Sequence, residues 1–166
     1  MIIRNENESD YEAISEITKE AFENHPYSDH TEQFIIRALR SSNALTISLV
    51  AVDAREVVGH IAFSPVTISD GSRDWYGLGP ISVLPEMQRH GIGKSLMKEG
   101  LSRLKALGAK GCVLVGDPKY YRRFGFRNLP NVFVEGVPQV NTLALPFEEN
   151  EICGRVEFHK AFAAKG

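Results

Sequence analysis

Two stretches of this 166-residue chain gather residue types that can do chemistry. The first runs Gln88-Arg89-His90-Gly91-Ile92-Gly93-Lys94-Ser95 and stands just ahead of an apolar periodic run. Glycines at a helix start let a ligand approach backbone N–H groups that have no partner inside the helix. With the positive end of the helix dipole, such a start receives a phosphate or pyrophosphate, and Arg89 and Lys94 add charge at the rim. The stretch misses two familiar phosphate loops by one residue each. A nucleotide P-loop needs glycine where Gln88 stands, and a dinucleotide fingerprint needs glycine where Leu96 stands. The second stretch, Tyr120-Tyr121-Arg122-Arg123-Phe124-Gly125-Phe126, sets two phenols beside the one basic cluster of the chain, with Lys119 and Arg127 at its ends.

The bulk numbers narrow the setting. Hydrophobic residues make up 43% and charged residues 24%, with a formal net charge of −2. A single domain spanning 1–166 with its own core fits that length. A near-neutral balance argues against nucleic acid as a partner, because such binders carry a basic excess or stripe. Cys112 and Cys153 are too few and too unpatterned for a disulfide framework or a metal site, so no metal is expected. Cys112, inside "GCVLVG", reads as a small buried hydrophobe. The opening "MIIRNENESD" lacks a signal peptide's apolar stretch, and no window carries the ~20 apolar residues of a membrane span. A cytoplasmic protein without a membrane partner is the expectation; a homodimer stays open.

Those two stretches must be positioned by the elements around them. "MIIR" reads as a strand. Ser9 and Glu12 fit a capping box for a helix carrying Ile14, Ile17 and Ala21. "HPYSDH" breaks that helix, and residues Asp29 to Glu32 cap a second one with Ile35, Ile36 and Leu39. "ALTISLVAVDA" and "VVGHIAFSPVTIS" form a hairpin about Arg55-Glu56. "WYGLGPISVLP" is a third strand, and Gly77, Gly79 and Pro80 within it mark a bulge or a close backbone approach. The helix after the glycine stretch carries Ile92, Leu96, Met97, Leu101, Leu104 and Leu107 on one stripe and stops at Gly108. "CVLVG" is a short strand buried on both faces, parallel to the third strand and joined to it by the crossover helix. "PKYYRRF" forms a short helix with Pro118 in its first turn. "FVEGV", "VNTLALPF" and "RVEFHKAF" complete the chain as strands and loops.

With the elements in this order, the sequence resembles the GNAT superfamily of acetyl-CoA-dependent N-acetyltransferases. Its signature Q/R-x-x-G-x-G/A is met by Gln88-Arg89-His90-Gly91-Ile92-Gly93. Its second mark, an aromatic-Tyr pair, two variable residues, an apolar residue and Gly-Phe, is met by Tyr120 to Phe126. The resemblance runs from residue 1 to about residue 127. It implies an α/β fold, a mixed, mostly antiparallel central sheet flanked by helices in the order β-α-α-β-β-β-α-β-α-β-β, split between "WYGLGPISV" and "CVLVG". It implies acetyl-CoA as co-substrate. The amides from Arg89 to Lys94 would hold the pyrophosphate, and the candidate loop spans Gln88, Arg89, His90, Gly91, Ile92, Gly93, Lys94 and Ser95. Ile81, Ser82 and Val83 would bind the pantetheine arm through their main chain. Asp117 stands where many relatives carry Asn; it can accept a hydrogen bond but cannot donate as an amide does. Tyr120 is placed beside the same ligand.

For transfer to an amine, the thioester needs a proton for its departing thiolate, and the resemblance puts Tyr121 in that general-acid position. A phenol near pKa ~10 stays protonated at neutral pH, and passing its proton to a thiolate of ~8.5 is modestly uphill. Arg122 or Arg123 nearby would ease that loss. No base stands out. Glu23, His25, Asp29 and His30 fall between the first two helices, where the superfamily shapes its acceptor pocket, and Glu86 precedes the glycine loop. Each reads more readily as a solvated loop residue. His60 reads as a satisfied sheet residue, and His159 carries no signal. Acetyl transfer to a primary amine of an unknown acceptor, a small molecule or a protein, is the reading. An acyl-CoA sensor without catalysis is the alternative, since fold does not settle function.

Overall fold

A computed structural model describes residues Met1–Gly166. The chain begins with β1 (Ile2–Asn5), α1 (Tyr11–Phe22) and α2 (Glu32–Ser41). Next come β2 (Ile47–Asp53), β3 (Glu56–Pro65), a short β4 (Thr67–Ile68) and β5 (Trp75–Val83). Then follow α3 (Ile92–Ala106), β6 (Gly111–Val115), α4 (Pro118–Tyr121), β7 (Val132–Phe133), β8 (Thr142–Pro146) and β9 (Gly154–Glu157). The main sheet is ordered β1-β2-β3-β5-β6-β8, and only its β5–β6 pair is parallel. This is the mixed, mostly antiparallel α/β sheet flanked by helices that the sequence implied.

Strand alternation divides the core between two faces. Leu49, Ala51, Ile61 and Phe63 pack with Ile92, Leu96, Met97, Leu101 and Leu104 of α3. On the opposite face Val50 packs with Ile14 of α1 and Ile36 of α2. α3 ends in a Schellman motif: Gly108 N–H donates to Lys105 O (3.0 Å) and Ala109 N–H to Leu104 O (3.3 Å). Leu107, expected on the buried stripe, is the C-cap and is exposed, because the chain leaves helical geometry there.

Other expectations need correction. Ahead of α1 the capping residue is Asn7, not Ser9, and it caps the 3₁₀ turn Glu8–Asp10 that leads into the helix: Asn7 N–H donates to Asp10 Oδ2 (2.8 Å), and Arg4 clamps the same carboxylate (2.7 and 3.0 Å). α2 starts at Glu32 with Thr31 as its N-cap, inside the stretch Asp29 to Glu32 expected to cap it. The hairpin turns at Ala54-Arg55, both with positive φ (48° and 67°), the geometry that matches strand twist in a two-residue loop. "VVGHIAFSPVTIS" is not one strand. It ends at Pro65, and Thr67–Ile68 pairs with β9 in a second sheet ordered β4-β9-β7. "FVEGV" contributes only Phe133, which follows Val132 in β7, and the "HKAF" part of "RVEFHKAF" turns into a 3₁₀ helix at Lys160–Ala163.

Candidate active site

The sheet opens where the glycines and proline interrupt β5. Between the pairs Ile61↔Ile81 and Phe63↔Leu78, Gly79 and Pro80 on β5 face Ala62 alone on β3, a two-against-one bulge. On its other edge β5 pairs with β6 only at Trp75↔Gly111, Tyr76↔Cys112 and Gly77↔Val113. Beyond Gly77 the two strands part. Leu78 to Val83 therefore keep β3 on one side and have no β6 partner on the other. Ile81, Ser82 and Val83 lie on this splayed arm, opposite Ile61, His60 and Gly59.

The glycine loop sits at the end of the same arm. After Val83 the chain makes one 3₁₀ turn (Pro85–Met87) and reaches the N-terminus of α3. Gln88 Nε2 donates to Val83 O (3.1 Å), and His90 Nδ1 lies 3.2 Å from Met87 O, so both side chains fasten the loop. The two glycines do different work. Gly91 is the N-cap with φ +84°, a left-handed conformation that a β-carbon disfavours. Gly93 has ordinary helical geometry but little room: a Cβ there would stand 3.0 Å from the Tyr120 hydroxyl, which would have to give way. The first helical bond is Ser95 N–H to Gly91 O (3.0 Å). The N–H groups of Ile92, Gly93 and Lys94 precede it and remain free for a ligand. Arg89 and Lys94 are exposed and take part in no ion pair.

α4 brings the tyrosines against this loop. Asp117 caps α4 by accepting Lys119 N–H (2.9 Å), so its carboxylate already serves the fold. The Tyr120 and Tyr121 rings meet edge to face, 4.9 Å apart at 85°. Tyr121 packs against the backbone of Gly116, where a Cβ would meet its ring at 2.5 Å, and against Phe126. Arg123 stacks over the Tyr120 ring, 4.9 Å from its centroid, and not over Tyr121. Neither Arg122 nor Arg123 is among the groups that set the acidity of Tyr121. Burial first, then Tyr120 and Asp117, push the Tyr121 phenol up to about 12. Burial also raises Tyr120, with Arg123 pulling the other way.

The acid–base candidates between α1 and α2 stay on the surface: Glu23, His25, Asp29 and His30 are exposed, as is Glu86. His25 Nδ1 accepts Tyr27 N–H (3.3 Å), a local loop contact. His159 caps the last 3₁₀ turn through Ala161 N–H (3.0 Å). His60 is only half satisfied. Its Nε2 meets Ser48 Oγ (2.7 Å), whereas its Nδ1 is buried without a partner. Ser48 Oγ donates to Glu6 Oε1 (2.6 Å), and Arg40 holds Glu6 through Nε and Nη2 (2.9 and 2.8 Å). Sequence reading missed Glu6, Arg40 and Ser48. They come from three separate elements, and no spacing along the chain announces their meeting.

A sheet splayed between two parallel strands, with a glycine-capped helix N-terminus at its mouth, defines the class as an α/β acyltransferase-type fold. The family model described as an acetyltransferase (GNAT) domain matches residues 2–128. The chain belongs to the GNAT acetyltransferase family. The uncharacterized N-acetyltransferase YhbS of Escherichia coli K12 is 34% identical over 170 residues, covering 98% of each chain. The crystal structure of a GNAT family acetyltransferase from Brucella melitensis in complex with acetyl-CoA is 45% identical, with TM-score 0.86 over 97% of both chains. The crystal structure of E. coli YhbS in complex with CoA superposes with TM-score 0.89 at 29% identity, covering 99% of this chain and 93% of that one.

Proposed function

We propose that the protein transfers an acetyl group from acetyl-CoA to a primary amine of a small molecule or protein, and that it acts without a metal. The observation that carries this reading is the splayed arm of β5 running directly into the Gly91-capped helix. An extended ligand with amide groups can complete the unpaired strand edge as a β6 strand would. At the end of that arm, the N–H groups of Ile92, Gly93 and Lys94 meet its pyrophosphate. The ligands held by the B. melitensis enzyme and by YhbS have that shape and charge. Ile81, Ser82 and Val83 serve the pantetheine arm, the loop from Gln88 to Ser95 serves the pyrophosphate, and Tyr120 borders it beside Gly93.

In this reading the amine attacks the thioester carbon directly, the C–S bond breaks, and Tyr121 protonates the thiolate. Burial keeps the Tyr121 hydroxyl protonated at every working pH, and also makes it a weaker acid than a free phenol. Its donation must therefore be concerted with thiolate departure, where the sulfur is most basic. No helix is long and apolar enough to cross a membrane. A cytoplasmic location and one domain over 1–166 belong to the same proposal.

Thermal-shift titration with acetyl-CoA, CoA, ATP and NAD tests the ligand. Stabilisation by the two CoA compounds alone supports the reading, and equal response to ATP sinks it. Thiol release across a panel of amines then separates an enzyme from an acyl-CoA sensor.

A further inference from the structure

Three buried polar atoms have no hydrogen-bond partner: His60 Nδ1, Ser64 Oγ and Ser82 Oγ. His60 and Ser64 lie on one face of β3, and Ser82 stands opposite His60 in register on β5. Ser64 pairs with Gly77, the last residue of β5 matched to β6. The three atoms thus bracket the bulge at which the sheet opens, on the face that carries α1 and α2.

Counting protons fixes the histidine tautomer. Glu6 accepts two bonds from Arg40 and one from Ser48, so it is a carboxylate, and Arg40 holds its pKa low against the opposing effect of burial. Ser48 has one hydroxyl proton, and Glu6 takes it. Ser48 Oγ must then accept from His60, so Nε2 carries the proton and Nδ1 is a bare lone pair. Such an acceptor facing an unpartnered hydroxyl across paired strands is the setting in which a buried water makes both bonds.

We propose that Ser82, one bridging water, His60, Ser48 and Glu6 form a proton path that leads from β5 to the surface and removes the proton lost by the acceptor nitrogen. The assignment rests on the acetyl-transfer reading. As the nitrogen bonds to the thioester carbon and the C–S bond breaks, Tyr121 gives a proton to the sulfur and regains one from solvent. The surplus proton on nitrogen passes through Ser82 and the water to Nδ1. Nε2 gives its proton to Ser48, Ser48 gives its own to Glu6, and Glu6 releases it to solvent. One proton leaves nitrogen and one reaches sulfur; His60 is left as the Nδ1–H tautomer, and the chain resets only when the Ser48 hydroxyl turns back to Glu6 and the ring proton returns to Nε2 by exchange through the water.

The path runs outward by burial. His60 is fully buried, Ser48 nearly so, and the Glu6 side chain keeps 13% of its exposure. The charged groups around His60 are Glu6 after β1, Arg40 on α2 and Asp10, paired with Arg4, before α1. Burial above all, with Arg40, lowers the imidazole pKa to about 4, so Nδ1 is an empty acceptor at neutral pH. His60, Ser48 and Glu6 act through Ser82 and the water, so they are positioning residues and not catalytic ones.

Two measurements test the path. In 15N-histidine-labelled protein, long-range 1H–15N correlation at neutral pH should show His60 neutral with its proton on Nε2. An Nδ1–H tautomer or an imidazolium at pH 7 overturns the proposal whether or not any variant folds. Kinetically, Ser48→Ala and His60→Phe are compared with wild type using acetyl-CoA and the fastest of spermidine, a peptide with a free α-amine and a lysine peptide. Turnover at pH 7 should fall by roughly 10²-fold, the low end for one proton-transfer group. KM for acetyl-CoA should hold, and the deficit should shrink by pH 9 as hydroxide takes the proton directly. Unchanged turnover, or a loss equal at both pH values with a raised acetyl-CoA KM, overturns the path. Wild-type protein inactive with all three amines sinks the acetyl-transfer reading itself, a different failure.

Discussion

A Cβ on Gly93 would stand 3.0 Å from the hydroxyl of Tyr120, so the glycine loop and the tyrosine helix meet at a point with no spare atom. The contact joins the two stretches that carried the family signature, 27 residues apart in the sequence. It also separates the roles of the two glycines. Gly93→Val should leave the fold standing and abolish most CoA binding, because the branched side chain displaces Tyr120 and covers the helix N–H groups. Gly91→Val should lose binding and also stability, on the order of 1–2 kcal/mol for a left-handed non-glycine residue. Isothermal titration with CoA and urea unfolding check both. Wild-type affinity in folded Gly93→Val would remove the pyrophosphate assignment.

Tyr121→Phe keeps the ring against Gly116 and Phe126 and removes only the hydroxyl. If that hydroxyl protonates the leaving thiolate, turnover falls by roughly 10²–10⁴ with little change in acetyl-CoA binding. Tyr120→Phe is the control and should lose much less. Single-turnover thiol release reads both, and equal losses would point to packing damage instead. With the phenol pushed up to about 12, wild-type activity should show no loss between pH 8 and 9 from Tyr121 ionisation.

Acid should unfold the protein through three groups with one sign. The His60 pKa is about 4 in the fold against 6.5 outside it, so the unfolded chain binds the extra proton and stability falls as pH drops from 6.5 to 4. Asp10, held low by Arg4, and Glu6, held low by Arg40 and Ser48 against burial, contribute stability above the usual carboxylate range. That contribution is lost as pH falls through their folded values. Urea midpoints between pH 7 and 3 should decline throughout. His60→Phe should flatten the curve between 6.5 and 4.

Burial alone drives the Cys112 thiol well above its ordinary value, whereas Cys153 is exposed. Native protein should react with one equivalent of a thiol reagent and take up the second only on unfolding. Rapid modification of both in the native state would contradict the buried position of β6.

The sequence by itself determined what rests on local chemistry. Periodicity located α1, α2 and α3. The glycines and proline of β5 announced its bulge, and the apolar run of β6 announced a strand buried on both faces. The spacing within Gln88–Gly93 and Tyr120–Phe126 identified the family, because backbone conformation and close approach at those places admit few residue types. The cap ahead of α1 was read less well. Asn7 displaced the expected Ser9, since several polar residues near a helix start can serve and only the chain's path selects one.

Tertiary structure alone decided which residues meet. Val132–Phe133, Thr67–Ile68 and Gly154–Glu157 carry no sign of which strands they join, and they form a second sheet only because they fall side by side. Arg123 went to Tyr120, and burial, which no local pattern records, set the acidity of Tyr121. Glu6, Arg40, Ser48 and His60 come from the chain after β1, α2, β2 and β3. Hydrogen bonds and desolvation depend on distance through space, and strand register and helix packing bring these four together under α1 and α2.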